Sequence, residues 1–387
     1  MEITAVELHE FTVELEDVGS DGGHQVYQPG EITDVPGFIL SIHTDAGLTG
    51  HYRGFMYTRP MVTQIEMAAG EFLLGRDPLH REGIWQNLWT AFRHTDHLGL
   101  GPIDIALWDL AGKHSGAPIS TLLGGYRETI PAYASTYWGD EEPDGLSTPA
   151  AYADFAAACR ERGYPAFKIH PTGHPQRDMD ICRAVDDAVG SEMELMLDPA
   201  SAYRTYADAL SVGRVLDELG FLWYEDPMGD GGESIAASRR MAAELDTLVL
   251  GCEHVRTGPF WRADHLAADA VDLLRADAHL DGGITSVMKT AHLAEAFGVD
   301  VELHIGGPAH LHCLSAIRNS NYYEHGLLHP EVAWTTGAAI EGMPGVTDGE
   351  IRVPDGPGLG VDVDWSFVES HLTDHTVVNE GGASGLS

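Results

Sequence analysis

Six acidic, basic or cationic side chains recur at near-regular intervals through the middle of this sequence: Lys168, Asp198, Glu225, Glu253, Asp277 and His304. Subtracting positions gives steps of 30, 27, 28, 24 and 27 residues. Each residue closes a short apolar run: AFK, ELMLD, LWYE, VLGCE, LLRAD and VELH. A strand, a turn, a helix and a return loop together take roughly 25–35 residues. The spacing is therefore that of a repeated β/α unit with one reactive side chain at the carboxyl end of each strand. In a (β/α) barrel those ends converge on the single face that carries the chemistry. Three of the six are carboxylates in succession, which points to a divalent cation held by oxygen ligands.

Residues 1–125 read differently. TAVELHEFTVEL and GFILSIHTDAGLTGHYRG alternate as antiparallel strands do, with Asp45-Ala46-Gly47 as a turn. Between them DVGSDGGHQVYQPGEITDVP reads as a long Gly/Pro-rich loop, the kind that is usually functional or disordered. Helical stretches follow, the last being GPIDIALWDLAGKHSG, which Gly116 and Pro118 terminate. This is an α+β module. Residues 126–326 alternate strands and helices: IPAYAS, AFKIH, ELMLD, FLWYE, LVLGC, DLLRA, VDVELH and NYYE make eight strands, each almost wholly apolar, as parallel strands buried on both faces are. In residues 327–387 the alternation stops. GEIRVPDGPGLGVDVD is expected to pack back on the first module, and VVNEGGASGLS to fray.

The formal net charge is −38, and the only lysines are Lys113, Lys168 and Lys289. Such a surface repels phosphate backbones and anionic membranes, so neither nucleic acid nor membrane is an expected partner. Dense acidity with few lysines suits a cytoplasm with molar salt, and the sequence reads as halophilic. Cys159, Cys182, Cys252 and Cys313 lack CxxC spacing, which argues for a reducing compartment and against a zinc or disulfide framework. No signal peptide and no membrane span are read, so the expected location is cytoplasmic.

Asp198, Glu225 and Glu253 are the strongest candidate constellation. Like charges gathered at neighbouring strand ends are costly without a cation and favourable with Mg²⁺. Lys168 and His170 share a strand face, because residues i and i+2 point the same way. The ordinary alternatives are a salt-bridged lysine and a hydrogen-bonded loop histidine. Asp277 and His304 end adjacent strands, and a carboxylate beside an imidazole fixes its tautomer and raises its basicity. Glu324 ends the eighth strand, where, if protonated, it would hydrogen-bond a substrate carboxylate or a developing enolate. His279, on the face of Asp277, has a supporting position. His24 and Tyr27 sit in the long N-terminal loop and would contact substrate if that loop covers the barrel mouth.

The pattern resembles the enolase superfamily and, within it, the mandelate racemase-like group. IDIALWDLAGKHSGAPISTLLGG resembles the helix joining that family's capping domain to its barrel. The set Lys168-x-His170, Asp198, Glu225-Asp226-Pro227, Glu253, Asp277 and His304 is similar to its catalytic and metal positions, and GEIRVPDGPGLGVDVD to its closing segment. The resemblance implies an α/β fold, a modified (β/α)7β TIM-type barrel with an N-terminal α+β capping domain. It implies one Mg²⁺ on Asp198, Glu225 and Glu253, proton abstraction next to a carboxylate, an enediolate held by the metal, and a homo-oligomer. A Lys or His base with Mg²⁺ is this superfamily's known pattern. Two departures stand out. Many relatives have Lys-x-Lys where this sequence has Lys168-x-His170, which makes Lys168 most similar to the residue that neutralises the substrate carboxylate and leaves His170 as base, acid or positioning group. Ala200 replaces an Asn that many relatives carry.

The resulting expectation is a lyase, an Mg-dependent acid-sugar dehydratase. It would take the C2 proton of an aldonate or related small-molecule carboxylate with His170 or His304, expel the 3-hydroxyl and yield a 2-keto-3-deoxy acid. The alternatives are racemisation or epimerisation at the α-carbon, and a non-catalytic metabolite-binding or scaffold barrel.

Overall fold

The computed structural model describes residues 1–21, 24–139, 145–255, 258–333 and 337–385. Strands β1 (Ile3–Asp21), β2 (His24–Thr44) and β3 (Thr49–Gly54) begin an antiparallel sheet. The turn at Asp45–Gly47 is as expected, with Gly47 in the left-handed region at φ 74°. Helices α1 (Thr58–Ala68), α2 (Arg81–Phe92), α3 (Leu100–Ser115) and α4 (Ile119–Leu123) follow. Gly116 ends α3 at φ 66°, donating to the carbonyls of Gly112 and Lys113.

Helix α3 is almost entirely buried because it lies between sheet and barrel. A Cβ on Gly50 of β3 would sit 2.1 Å from the Ala106 carbonyl, and one on Gly101 would sit 2.1 Å from the His279 carbonyl. Only glycine permits these approaches. The apolar faces of β1 and β2 (Val6, Leu8, Phe38, Leu40, Ile42) join this core.

The barrel strands are β4 (Thr129–Thr136), β5 (Ala166–Ile169), β6 (Glu194–Leu197), β7 (Trp223–Glu225), β8 (Leu248–Gly251), β9 (Leu273–Ala276), β10 (Asp300–Leu303) and β11 (Tyr323–His329). They coincide with the eight apolar segments. Helices α5 (Pro149–Glu161), α6 (Pro175–Val189), α7 (Tyr206–Leu219), α8 (Ile235–Glu244), α9 (Pro259–Ala267), α10 (Gly283–Phe297) and α11 (Pro308–Ala316) alternate with them. Backbone pairing among these strands is parallel and runs in the order β10-β9-β8-β7-β6-β5-β4-β11. The fold is a TIM-type barrel with an N-terminal capping domain.

Among the described residues no backbone ladder joins β10 to β11. That seam is closed largely by side chains. The Glu302 carboxylate accepts the amides of Asn321 (3.0 Å) and Tyr322 (3.2 Å) and the Asn321 side chain (2.8 Å).

The chain then forms β12 (Val332–Ala333), β13 (Ile340–Glu341), β14 (Glu350–Arg352), β15 (Asp362–Val363), α12 (Trp365–Ser370), β16 (Leu372–Asn379) and β17 (Gly382–Gly385). Strand β14 pairs with β4, while β16 pairs with β1. The C-terminal segment therefore touches both barrel and N-terminal sheet.

Two expectations are corrected. The segment read as a long loop is paired backbone: β1 and β2 form one hairpin from Ile3↔Thr44 out to Asp21↔His24, with an irregularity between Glu16 and Val18. Gly19 and Pro36 lie in paired positions, opposite Val26 and Thr12, while Pro29 and Gly30 fall in the irregularity, where the Gly30 amide donates to Asp17 Oδ1 (2.8 Å). The segment expected to fray instead contributes to β16 and to β17, which pair with each other.

Candidate active site

Asp198 directly follows β6, Glu225 ends β7 and Glu253 follows β8 by two residues. Each offers one carboxylate oxygen, and these oxygens lie within 4.8 Å of one another. All three side chains are buried. Local backbone aims them. Asp198 Oδ1 accepts the amide of Ala200, which sits in the left-handed region at φ 39°. Asp226 accepts the amides of Cys252 (3.1 Å) and Glu253 (2.8 Å), so the residue after one carboxylate positions the next. Three hard, buried oxygen donors at this spacing fit a Mg²⁺ ion with coordination positions left for substrate.

Two cations brace the cluster. Lys168 Nζ lies 3.0 Å from Asp198 Oδ2, 3.1 Å from Glu225 Oε2 and 2.9 Å from Glu324 Oε1, wholly out of solvent. Its ammonium thus serves three of the chain's own carboxylates. Arg275, which sequence reasoning passed over, spans Glu225 Oε1 (Nε, 2.7 Å) and Glu324 Oε2 (Nη2, 2.7 Å) and donates to the Tyr133 hydroxyl (3.0 Å). A signal was present: Arg275 is a lone charge in an apolar strand, two residues before Asp277, and shares its face.

Glu324 would need a proton to donate a hydrogen bond to a substrate carboxylate or enolate. Burial alone would raise its pKa, but Lys168 and then Arg275 outweigh that and hold it ionised, well below the usual range. It also accepts the Ile305 amide at 2.8 Å. For Asp198, burial is again outweighed, by Lys168 and His170, and the pKa is lowered. For Glu225 burial prevails and the pKa is raised.

Two histidines flank the carboxylates. His304 Nδ1 is 2.8 Å from Asp277 Oδ2, and its Nε2 is 3.5 Å from Glu253 Oε1. Burial would depress this imidazole, yet Glu253 and Asp277 raise its pKa above the ordinary histidine value. Asp277 also accepts the His279 amide (2.5 Å), and its Oδ1 is 3.3 Å from His310 Nε2. His279 Nδ1 is 3.0 Å from the Tyr52 hydroxyl of β3, so a polar chain runs from the capping domain to His304. On the other side His170 Nδ1 is 2.7 Å from the Thr136 carbonyl and Nε2 is 3.0 Å from Asp198 Oδ2. Trp138 packs on the His170 ring, with centroids 5.0 Å apart.

The hairpin does reach the barrel: Val26 bridges to Trp138, and Val18 packs with Tyr137 and Leu328. Tyr27, however, turns its ring toward His329, in a groove with Leu146, Phe155 and Arg162 that none of the catalytic candidates lines. The His24 side chain lies outside the described residues. A cavity of about 270 Å³ opens between capping domain and barrel, lined by Tyr52, Arg53, Phe55, His279 and Glu324 among others, beside the three carboxylates and not over them.

A barrel mouth with three buried carboxylates, a paired lysine and a carboxylate–imidazole dyad defines a class: enzymes that stabilise anions formed next to a carboxylate. Residues 31–124 match the mandelate racemase / muconate lactonizing enzyme N-terminal domain, and residues 151–367 match the enolase C-terminal domain-like family. The chain belongs to the mandelate racemase/muconate lactonizing enzyme-like group of the enolase superfamily. It is similar to the D-galactarolactone cycloisomerase of Agrobacterium fabrum, at 32% identity covering 84% of this chain and 88% of that protein. It is similar to the arabinonate dehydratase of Saccharolobus solfataricus, at 27% identity covering 82% and 86%. The D-glucarate dehydratase of Agrobacterium tumefaciens, crystallised with magnesium, superposes with a TM-score of 0.87 at 36% identity, covering 96% of this chain and 99% of that one.

Proposed function

We propose that this protein is a Mg²⁺-dependent acid-sugar dehydratase. The observation that carries the reading is the placement of His170 and His304 on two sides of the carboxylate cluster, each with Nε2 turned toward a candidate metal ligand. A divalent cation, when held by Asp198, Glu225 and Glu253, supplies the positive charge that makes a proton next to a carboxylate removable.

The chain's own groups divide the proton work. His304 donates Nδ1–H to Asp277, which fixes its tautomer and leaves the Nε2 lone pair facing the site. At 3.5 Å from Glu253, Nε2 is beyond hydrogen-bond range and free to accept the C2 proton. Both ring nitrogens of His170 face acceptors, the Thr136 carbonyl and Asp198. His170 then gives its Nε2 proton to the departing 3-hydroxyl. The C2–H and C3–O bonds break, water leaves, and the resulting enol tautomerises to a 2-keto-3-deoxy acid. Lys168 and Arg275 hold Glu225 and Glu324 in place and keep Glu324 ionised.

The test is a panel of aldonates and aldarates incubated with Mg²⁺ and scored for 2-keto acid. Turnover of at least one, abolished by chelation, is expected. Complete inactivity across the panel in both low and high salt would reject the reading. The likeness to a lactone cycloisomerase favours a second reading, in which an acid-sugar lactone is isomerised after the same proton abstraction. Product mass separates them, since only dehydration loses water.

A further inference from the structure

We infer that Glu7, His9 and His375 form a second metal site, for a transition-metal dication such as Zn²⁺, on the face of the N-terminal sheet away from its apolar core. The proposal rests on strand register. His375 of β16 pairs directly with His9 of β1, and Glu7 lies two residues before His9 on the same face. Glu7, His9 and His375 each present a ligand atom within 4.8 Å of the others.

The hydrogen bonding is incomplete. Glu7 Oε1 meets His375 Nε2 at 2.7 Å, and Glu7 Oε2 meets His43 Nε2 at 2.8 Å. That uses both carboxylate oxygens. His9 Nε2 is left 3.7 Å from Glu7, too far to bond, and His9 Nδ1 is buried with no partner among the described residues. The His9 and His375 rings stack at 4.4 Å, an arrangement poorly suited to two imidazolium ions. One dication placed between the three groups would satisfy them together.

Two imidazoles and a carboxylate are the donor set of Zn²⁺ and its neighbours, not of Mg²⁺. With bonds of about 2.0–2.1 Å, tetrahedral ligands stand about 3.4 Å apart, close to the 3.7 Å from His9 to Glu7, while Glu7 and His375, now 2.7 Å apart, would separate by about 0.7 Å. Glu7, His9 and His375 are 23%, 15% and 31% exposed, so an ion can reach them from solvent. His43, held at Nδ1 by Thr49 Oγ1 (3.1 Å), would orient the outer oxygen of Glu7. The site joins β1 to β16, so an ion there would pin that strand to the sheet.

The test uses full-length protein freed of metal, held in excess Mg²⁺ and titrated with Co²⁺. Four- or five-coordinate Co²⁺ with imidazole ligands absorbs visible light far more strongly than the octahedral oxygen-ligated ion. We expect a band that saturates at one ion per chain and is displaced by Zn²⁺. It should be lost in His9→Asn and His375→Asn and retained in Glu253→Gln. No band, a band surviving His9→Asn, or loss in Glu253→Gln overturns the proposal. Far-UV circular dichroism checks that each variant folds. Because His9 makes no hydrogen bond through its ring, His9→Asn decides the question if His375→Asn fails to fold.

Discussion

The guanidinium of Arg275 and the carboxylate of Glu225 meet at 2.7 Å, Nε to Oε1, with neither side chain reaching solvent. Arg275→Leu would strand Glu225 and Glu324 with one cation fewer. Removing one member of a buried pair costs about 3–5 kcal/mol. Urea unfolding followed by tryptophan fluorescence should show a loss of that order, and a loss below about 1 kcal/mol would mean that Lys168 alone sustains the cluster.

Asp226 acts on the metal site through the backbone it holds. In Asp226→Asn the charge is lost and one of the two amides, Cys252 or Glu253, faces an NH2 donor in place of an acceptor oxygen. Mg²⁺ affinity measured by calorimetry should fall about 10–100-fold, the usual effect of losing an outer hydrogen bond to a ligand. Unchanged affinity would show that Glu253 is positioned by packing instead.

His304→Asn removes the group assigned to take the C2 proton while leaving the three carboxylates intact. Turnover should drop about 100- to 10,000-fold, and Mg²⁺ affinity should stay within about threefold. Near-normal turnover would transfer the base role to His170, and solvent-deuterium exchange at C2 in each single variant would show which one retains proton abstraction.

Glu302 gives stability a pH dependence. Burial pushes its carboxyl up to about 7, despite hydrogen bonds from Asn321 and Tyr322 that favour the ion. The folded pKa exceeds the unfolded one, so the unfolded chain binds fewer protons between them. This contribution is complete below about pH 4.5 and is lost as pH rises through about 7, by at most about 3 kcal/mol. Glu302→Gln should therefore flatten the fall in stability across that interval. Parallel stability–pH curves for the two proteins would refute it.

Much of the barrel was legible in the sequence. Parallel strands buried on both faces must be apolar runs, and a site at their carboxyl ends must put a polar residue after each run. Asp198, Glu225 and Glu253 stood out on those grounds, as did the adjacency of Asp277 and His304. The end of α3 was equally readable from Gly116 and Pro118. The hairpin was not, because Gly19, Pro29, Gly30 and Pro36 look like a loop and only the tertiary structure runs them into β1 and β2. Glu302 carries no such local signal, and only the structure shows its contacts across the seam to the residues before β11.

The sequence by itself determined the order of elements and which strand ends carry charge, since these follow from local periodicity and burial. Tertiary structure alone decided the partners. Arg275 reaches Glu225 and Glu324 across the barrel interior from residues far away along the chain. Lys168 is enclosed by three carboxylates, Tyr27 faces His329, and His375 meets Glu7 from the far end of the chain. Charge pairing depends on distances through space, and those are set only when the sheet has curled and the terminal strand has docked.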